Sequence, residues 1–270
     1  MGRVTTTDRR TALRAGAGLA VAGAFAAGCA RTGAVAHSAP DATSPPPPTT
    51  SPTGASTAPA RPAPSPRRFP GQPAQIDHGP RGRPRVALTF HGNGDPATAR
   101  ALLAEAERRG ARITVLAVGT WLDAHPEMAR RILDGGHDLG NHTMRHLDIN
   151  TMSEADAGRE IEDCAARLKR LTGSVGTWFR PSRAARASPL VETLARRAGY
   201  PHVLSYDVDS LDFTSPGAPA VTRTVLDAVR GGSVVSLHFG YTDTVAALPA
   251  VLDELDRRGL RAVTTTELLS

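Results

Sequence analysis

Val86-Ala87-Leu88-Thr89-Phe90 is a short apolar run of the kind that forms a buried strand, and it ends on His91. From Pro96 to Arg109 the pattern changes. Ala101, Leu102, Ala104, Glu105 and Arg108 recur at helical spacing up to Gly110, and Ile113-Thr114-Val115-Leu116-Ala117-Val118 is a second buried strand. Strand, helix and strand within 35 residues is a parallel unit whose helix lies outside the sheet. The alternation continues downstream. A helix over 126–133 stops at Gly135-Gly136, and a short strand lies near Asp138-Leu139-Gly140. Ser153 opens a long helix to about Leu171, with Ile161, Cys164, Ala165 and Leu168 as its apolar stripe, so Cys164 reads as a small buried hydrophobe. Strands at 177–179, 202–206, 233–237 and 261–263 alternate with helices over 188–198, 218–229 and 244–257.

About seven apolar strands separated by helices predict an α/β fold. Polar residues gather where these strands end: His91, His142, Arg180, Asp207, Asp209, Asp212 and His238. A doubly wound sheet collects ligands only near its switch point, whereas a β/α barrel uses the whole C-terminal rim. Chemistry-bearing residues after at least five strands favour an irregular (β/α) barrel of about seven parallel strands over residues 85–270, preceded by a disordered tail.

The charge of the 270-residue chain is unevenly placed. Residues 1–84 hold 14 of the 22 prolines and ten arginines against three acids, whereas residues 85–270 carry 22 basic and 23 acidic residues. The excess of +6 therefore belongs to the front end, and the part that folds has no cationic surplus for nucleic acid. Two cysteines exclude a disulfide-built scaffold. Residues 1–29 read as a signal peptide: a basic stretch with the pair Arg9-Arg10, then an uncharged run from Ala15 to Ala27, too short for a spanning helix of roughly 20 residues. Phe25-Ala26-Ala27-Gly28-Cys29 resembles a bacterial lipobox, and the arginine pair a twin-arginine export signal. The expectation is an exported protein, at the cell surface or extracellular, that touches the membrane only through a lipid on Cys29. Residues 30–84, with Pro45-Pro46-Pro47-Pro48, read as a disordered linker. A monomer is expected.

Asn141-His142-Thr143-Met144-Arg145-His146 places two histidines at i and i+4, which on a helical turn would project from one face at metal-ligand reach. With its approach, Gly135-Gly136-His137-Asp138-Leu139-Gly140, this stretch resembles the Gly-His-x-x-Gly-Asn-His-Thr-x-x-His motif of the polysaccharide deacetylase (NodB-homology) family, carbohydrate esterase family 4. The resemblance continues in order through Phe179-Arg180-Pro181, Asp209-Ser210-Leu211-Asp212-Phe213, Leu237-His238 and the closing segment to Leu269. It implies hydrolysis of an N-acetyl or O-acetyl group on a cell-wall or extracellular glycan by a divalent metal, zinc. His142 and His146 would be metal ligands and His238 the general acid. Asp212 would orient His238, and Arg180 would position the base. A core histidine and a plain ion-pair arginine are the alternatives for His238 and Arg180, and Asp207 and Asp209 read as structural.

One element departs from the family. Its Thr-Phe-Asp-Asp-Gly-Pro supplies base and third ligand, where this chain reads Thr89-Phe90-His91-Gly92-Asn93-Gly94-Asp95-Pro96. The third element continues Ser182-Arg183 and so loses an aromatic wall, and Phe213 stands for a Trp. The preferred reading makes Asp95 the third ligand, with Gly92 and Gly94 letting the chain double back, and His91 the base. The reverse gives a three-histidine site with Asp95 as base, and N-capping of the following helix is the structural alternative for Asp95. Loss of both loop carboxylates leaves a second function open: a catalytically impaired barrel that binds glycan or a partner.

Overall fold

The structure is a computed structural model and describes residues 63–270. The signal and lipobox reading, with Cys29, lies outside the described residues, as does the first part of the expected linker. In chain order the elements begin β1 (Gln75–Ile76), β2 (Arg85–Gly92), α1 (Pro96–Arg108), β3 (Thr114–Ala117), α2 (Gly119–Ala124) and α3 (Glu127–Asp134). There follow β4 (Asp138–Asn141), α4 (Glu154–Thr172), α5 (Pro189–Arg197), β5 (Val203–Leu204), β6 (Val208–Asp209) and α6 (Ala218–Ala228). The chain closes with β7 (Val234–His238), α7 (Thr242–Arg257), β8 (Arg261–Ala262) and α8 (Thr265–Leu268).

Every strand ladder is parallel. One layer runs β4-β3-β2-β7-β6, and β8 pairs with the start of β2. Phe179 bridges Asn141 on one side and Val203 on the other, so the expected strand at 177–179 is a single bridging residue that carries the layer on to β5 and β1. The result is the irregular α/β barrel that the alternation of strands and helices predicts. Among the described residues no helix is long and apolar enough to cross a membrane.

Strand alternation sorts side chains between two cores. Val86, Leu88 and Phe90 of β2, with Val235 and Leu237 of β7, face the helices and pack with Leu102 of α1, Val225 of α6 and Val251 of α7. Ala87 and Val234, with Leu116 and Leu204, face the barrel interior. That interior is closed at its lower end by Trp178, on which Phe69 stacks with ring centroids 5.3 Å apart, and by Val263 and Leu268. Helix ends follow local chemistry. Ser153 caps α4 by accepting from the Asp156 amide, and α4 stops at Gly173, whose φ of 82° is open to glycine at little cost. Cys164 is fully buried on α4, and burial pushes its thiol up to about 12.

The packed unit starts earlier than Arg85. Phe69 and Ile76 are buried, β1 pairs with β5, and the Phe69 amide donates to His202 Nε2 at 3.0 Å. Residues 63–84 carry only isolated apolar side chains among prolines, so no periodicity marks them. Their order comes from the rings and strand edges of the barrel, which the segment itself does not encode.

Candidate active site

The register of β2 on β7 sets His91 directly beside His238, with ring centroids 4.3 Å apart. Both stand on the inward-facing line of their strands, His91 after Ala87 and Thr89, His238 after Val234 and Ser236. Ser236 Oγ lies 3.4 Å from His91 Nε2.

The loop after β4 supplies the next two imidazoles, and it is not a helical turn. Thr143 and His146 have φ of 68° and 58°, in the left-handed region that non-glycine residues seldom occupy. Neighbouring groups hold this shape. Buried Asn141 donates to the Ile161 carbonyl at 2.9 Å and to the Tyr200 hydroxyl at 3.1 Å, and its Oδ1 accepts from the Thr143 amide at 2.8 Å. Thr143 Oγ1 accepts from the His146 amide and donates to Ser182. The carboxylate of Glu160, buried on α4, takes both the Arg145 amide at 2.7 Å and the Arg145 Nε at 2.6 Å. His142 and His146 are thereby brought to 4.9 Å between ring centroids, from one edge of the loop.

His91, His142 and His146 each offer a ligand atom, and these atoms lie within 4.8 Å of one another. His142 is fully buried. Its Nδ1 donates to the Arg180 carbonyl at 3.1 Å, and its Nε2 has no hydrogen-bond partner. A buried ring nitrogen whose tautomer is fixed by a carbonyl on the far side, and whose lone pair is unused, is the state of a metal-ligating imidazole. Burial first, and then the neighbouring imidazoles, hold His91 and His142 well below the usual histidine range; burial and then Arg183 lower His146. Neutral nitrogens are what a cation requires. The residues present therefore fit a three-imidazole divalent metal.

Asp95 stands apart from this group. Its carboxylate accepts from the Ala97 amide at 2.8 Å and caps α1 ahead of Pro96, so the expected doubling back of the loop does not occur. Among the described residues the ligand atoms that come together are those of His91, His142 and His146, and Asp95, preferred from the sequence as the third ligand, is not in that group. Gly92 is no empty ligand position either. A Cβ there would lie 2.9 Å from Val115 Cγ1 and 3.0 Å from Ala117 Cα, because β2 continues in register against β3.

Asp212 is fully buried behind His238. Its Oδ1 accepts from His238 Nδ1 at 2.6 Å, and its Oδ2 accepts from the His238 amide at 2.8 Å and from Thr244 Oγ1 at 2.6 Å. Burial works to raise this carboxyl, but the bonds from His238 and Thr244 outweigh it and hold it below the usual range. Arg180 is also fully buried. It donates to the carbonyls of Leu204 and Ser205 and lies over the Tyr206 ring, with no carboxylate of the described residues within ion-pair distance; burial lowers it to about 10. Asp207 is tied to Arg81, Ser233 and the Val234 amide.

A cleft of about 340 Å³ opens above the histidines, lined by Tyr206, Asp209, Arg183 and, beside His238, by Phe213 and Tyr241. Both aromatic rings meet His238 edge-on. Sequence reading did not single out Tyr241, Thr244, Asn141 or Glu160. Asn141 stood within the quoted motif without a role, and Glu160 falls on the buried face of α4 beside Ala157 and Ile161, where a carboxylate needs a partner.

The family model for polysaccharide deacetylase matches residues 78–203. A peptidoglycan-N-acetylglucosamine deacetylase of Bacillus cereus is 32% identical over 188 residues, 68% of this chain and 87% of that protein. A chitooligosaccharide deacetylase of Sinorhizobium fredii is 28% identical over 66% of this chain and 88% of its own. Among solved structures, a CE4 family pseudoenzyme from Bacillus anthracis superposes with a TM-score of 0.69 at 22% identity, covering 74% of this chain and 70% of that one.

Proposed function

Because the chain belongs to the polysaccharide deacetylase family, we propose that it hydrolyses N-acetyl groups of a cell-wall or extracellular glycan, using a divalent metal held by His91, His142 and His146 and the His238–Asp212 pair for both proton transfers. The observation that carries this reading is the buried, unpartnered Nε2 of His142, which faces two further imidazoles beside a histidine already oriented by a carboxylate. Three nitrogen donors with an open side suit zinc. A cation held there supplies Lewis-acid polarisation of the acetyl carbonyl and a water of lowered pKa.

The remaining work belongs to this chain. Phe213 and Tyr241 flank the sugar and place its acetamide over the histidines. Nδ1 of His238 is committed to Asp212, so Nε2 is the basic nitrogen. It takes the water proton as the water oxygen bonds to the carbonyl carbon, and Asp212 stabilises the imidazolium that forms. His238 then returns that proton to the nitrogen as the C–N bond breaks, leaving an amine on the sugar and acetate. One histidine serves as base and then acid because His91 is drawn into the metal set and Asp95 is occupied at the helix cap. An export signal and a lipid on Cys29 would place this activity at the cell surface.

Release of acetate from an N-acetylglucosamine oligomer by zinc-loaded protein, and none after chelation, is the expected result. The binding-module reading is favoured by one observation: no carboxylate stands in the base position. Bound zinc and bound oligomer with no acetate released would establish it.

A further inference from the structure

Arg183 sits on the rim of the cleft that holds His91, His146 and His238. It is exposed, and no carboxylate of the described residues lies within ion-pair distance of it, although many arginines of the barrel, Arg81, Arg100, Arg131 and Arg145 among them, have such a partner. Its backbone is held at φ 56°, a conformation an arginine rarely takes. The hold is specific. Ser182, fully buried, accepts from Thr143 Oγ1 and donates to the Leu147 carbonyl on one side; Ser205 Oγ donates to the Ala185 carbonyl on the other. The segment is thus pinned at both ends, and the guanidinium it carries is left without a counter-ion beside the histidines. The cleft's own carboxylate, Asp209, is on the β6 side and already accepts from the Leu211 amide and the Tyr206 hydroxyl.

We infer that Arg183 is a specificity residue that selects an acidic glycan, pairing with a carboxylate carried next to the N-acetyl sugar whose acetamide lies over the histidines. This rests on the deacetylase reading only for where the acetamide sits. A guanidinium offers two parallel N–H donors to a carboxylate, and a fixed backbone lowers the entropy lost in forming that pair. A neutral oligomer gains nothing from it.

The test measures binding by calorimetry on the full chain, loaded with zinc. Two tetrasaccharides serve as probes: neutral N-acetylglucosamine tetramer, and the alternating N-acetylglucosamine–N-acetylmuramic acid tetramer with its lactyl carboxylates free. Wild type is expected to bind the acidic probe at least tenfold more tightly, with the gap closing as salt is raised. Arg183→Gln should bring the two dissociation constants within threefold, and Arg183→Lys should keep part of the gap. Equal binding of the probes by wild type, a gap that survives in Arg183→Gln, or no binding of the acidic probe overturns the inference. Absence of acetate release from either probe, with the gap present, overturns the deacetylase reading and leaves the selection of a carboxylate standing.

Discussion

The two walls of the cleft differ in how far folding alone completes them. On the β6–β7 wall the Asp212 carboxylate is fully engaged: it takes His238 twice and Thr244 once. On the β2–β4 wall three imidazoles converge, and His142 Nε2 is left without a partner in a buried place. An unmade hydrogen bond on a buried nitrogen costs about 1–3 kcal/mol, so the second wall is finished only by something that takes a lone pair. In the proposed reading the first wall serves proton transfer and the second holds a cation, and they meet through the His91–His238 pairing of adjacent strands.

The sharpest break of this contrast is on the finished wall. His238→Ala should lower acetate release by about 10²–10⁴-fold, the usual worth of a general acid–base group, while zinc content by atomic absorption stays at wild-type level. Equal loss of zinc would erase the distinction between the walls. On the other wall, saturating zinc at about 100 times its dissociation constant should stabilise the wild type by about 2.7 kcal/mol, and His142→Ala should show no zinc-dependent rise in melting temperature.

Glu160→Ala touches neither wall directly but frees the loop that carries His146, and zinc affinity should fall by about 10-fold or more, as for other groups that orient ligands. A carboxylate added at the family's ligand position tests packing against chemistry. Gly92→Asp should destabilise the barrel by about 1–3 kcal/mol in urea unfolding, because its Cβ presses on Val115 and Ala117, and should not tighten zinc. The smallest effect is expected at Asp95. Loss of the α1 cap in Asp95→Ala should cost about 1 kcal/mol of stability with zinc affinity unchanged; weakened zinc binding would return Asp95 to the ligand set.

Much of the fold was legible because strands and helices announce themselves locally. The apolar run ending at His91 and the run ending at His238 are both β-strands, and their inward-facing lines follow from a period of two. The site was legible in its members more than in its arrangement. The His142–His146 spacing suggested a helical turn, yet the loop is irregular because Asn141, Thr143 and Glu160 bind its backbone from distant positions. For Arg180, the expected carboxylate partner is replaced by two carbonyls, those of Leu204 and Ser205, contributed by the end of β5 and the residue after it.

The chain's own pattern of apolar runs, helix caps and strand-end histidines determined a parallel α/β barrel and the residues at its mouth. Which of those residues converge depended on strand register: β2 continues against β3 through Gly92, so His91 turns inward beside His142 while Asp95 begins the next helix. Where the folded unit starts depended on the ring of Trp178, since Phe69 has no regular neighbours in sequence and is buried only once that ring is there to receive it. Local propensity acts over a few residues, whereas ligand geometry and the closing of a barrel are set by contacts between residues far apart in the chain, and only packing brings those to within a few ångströms.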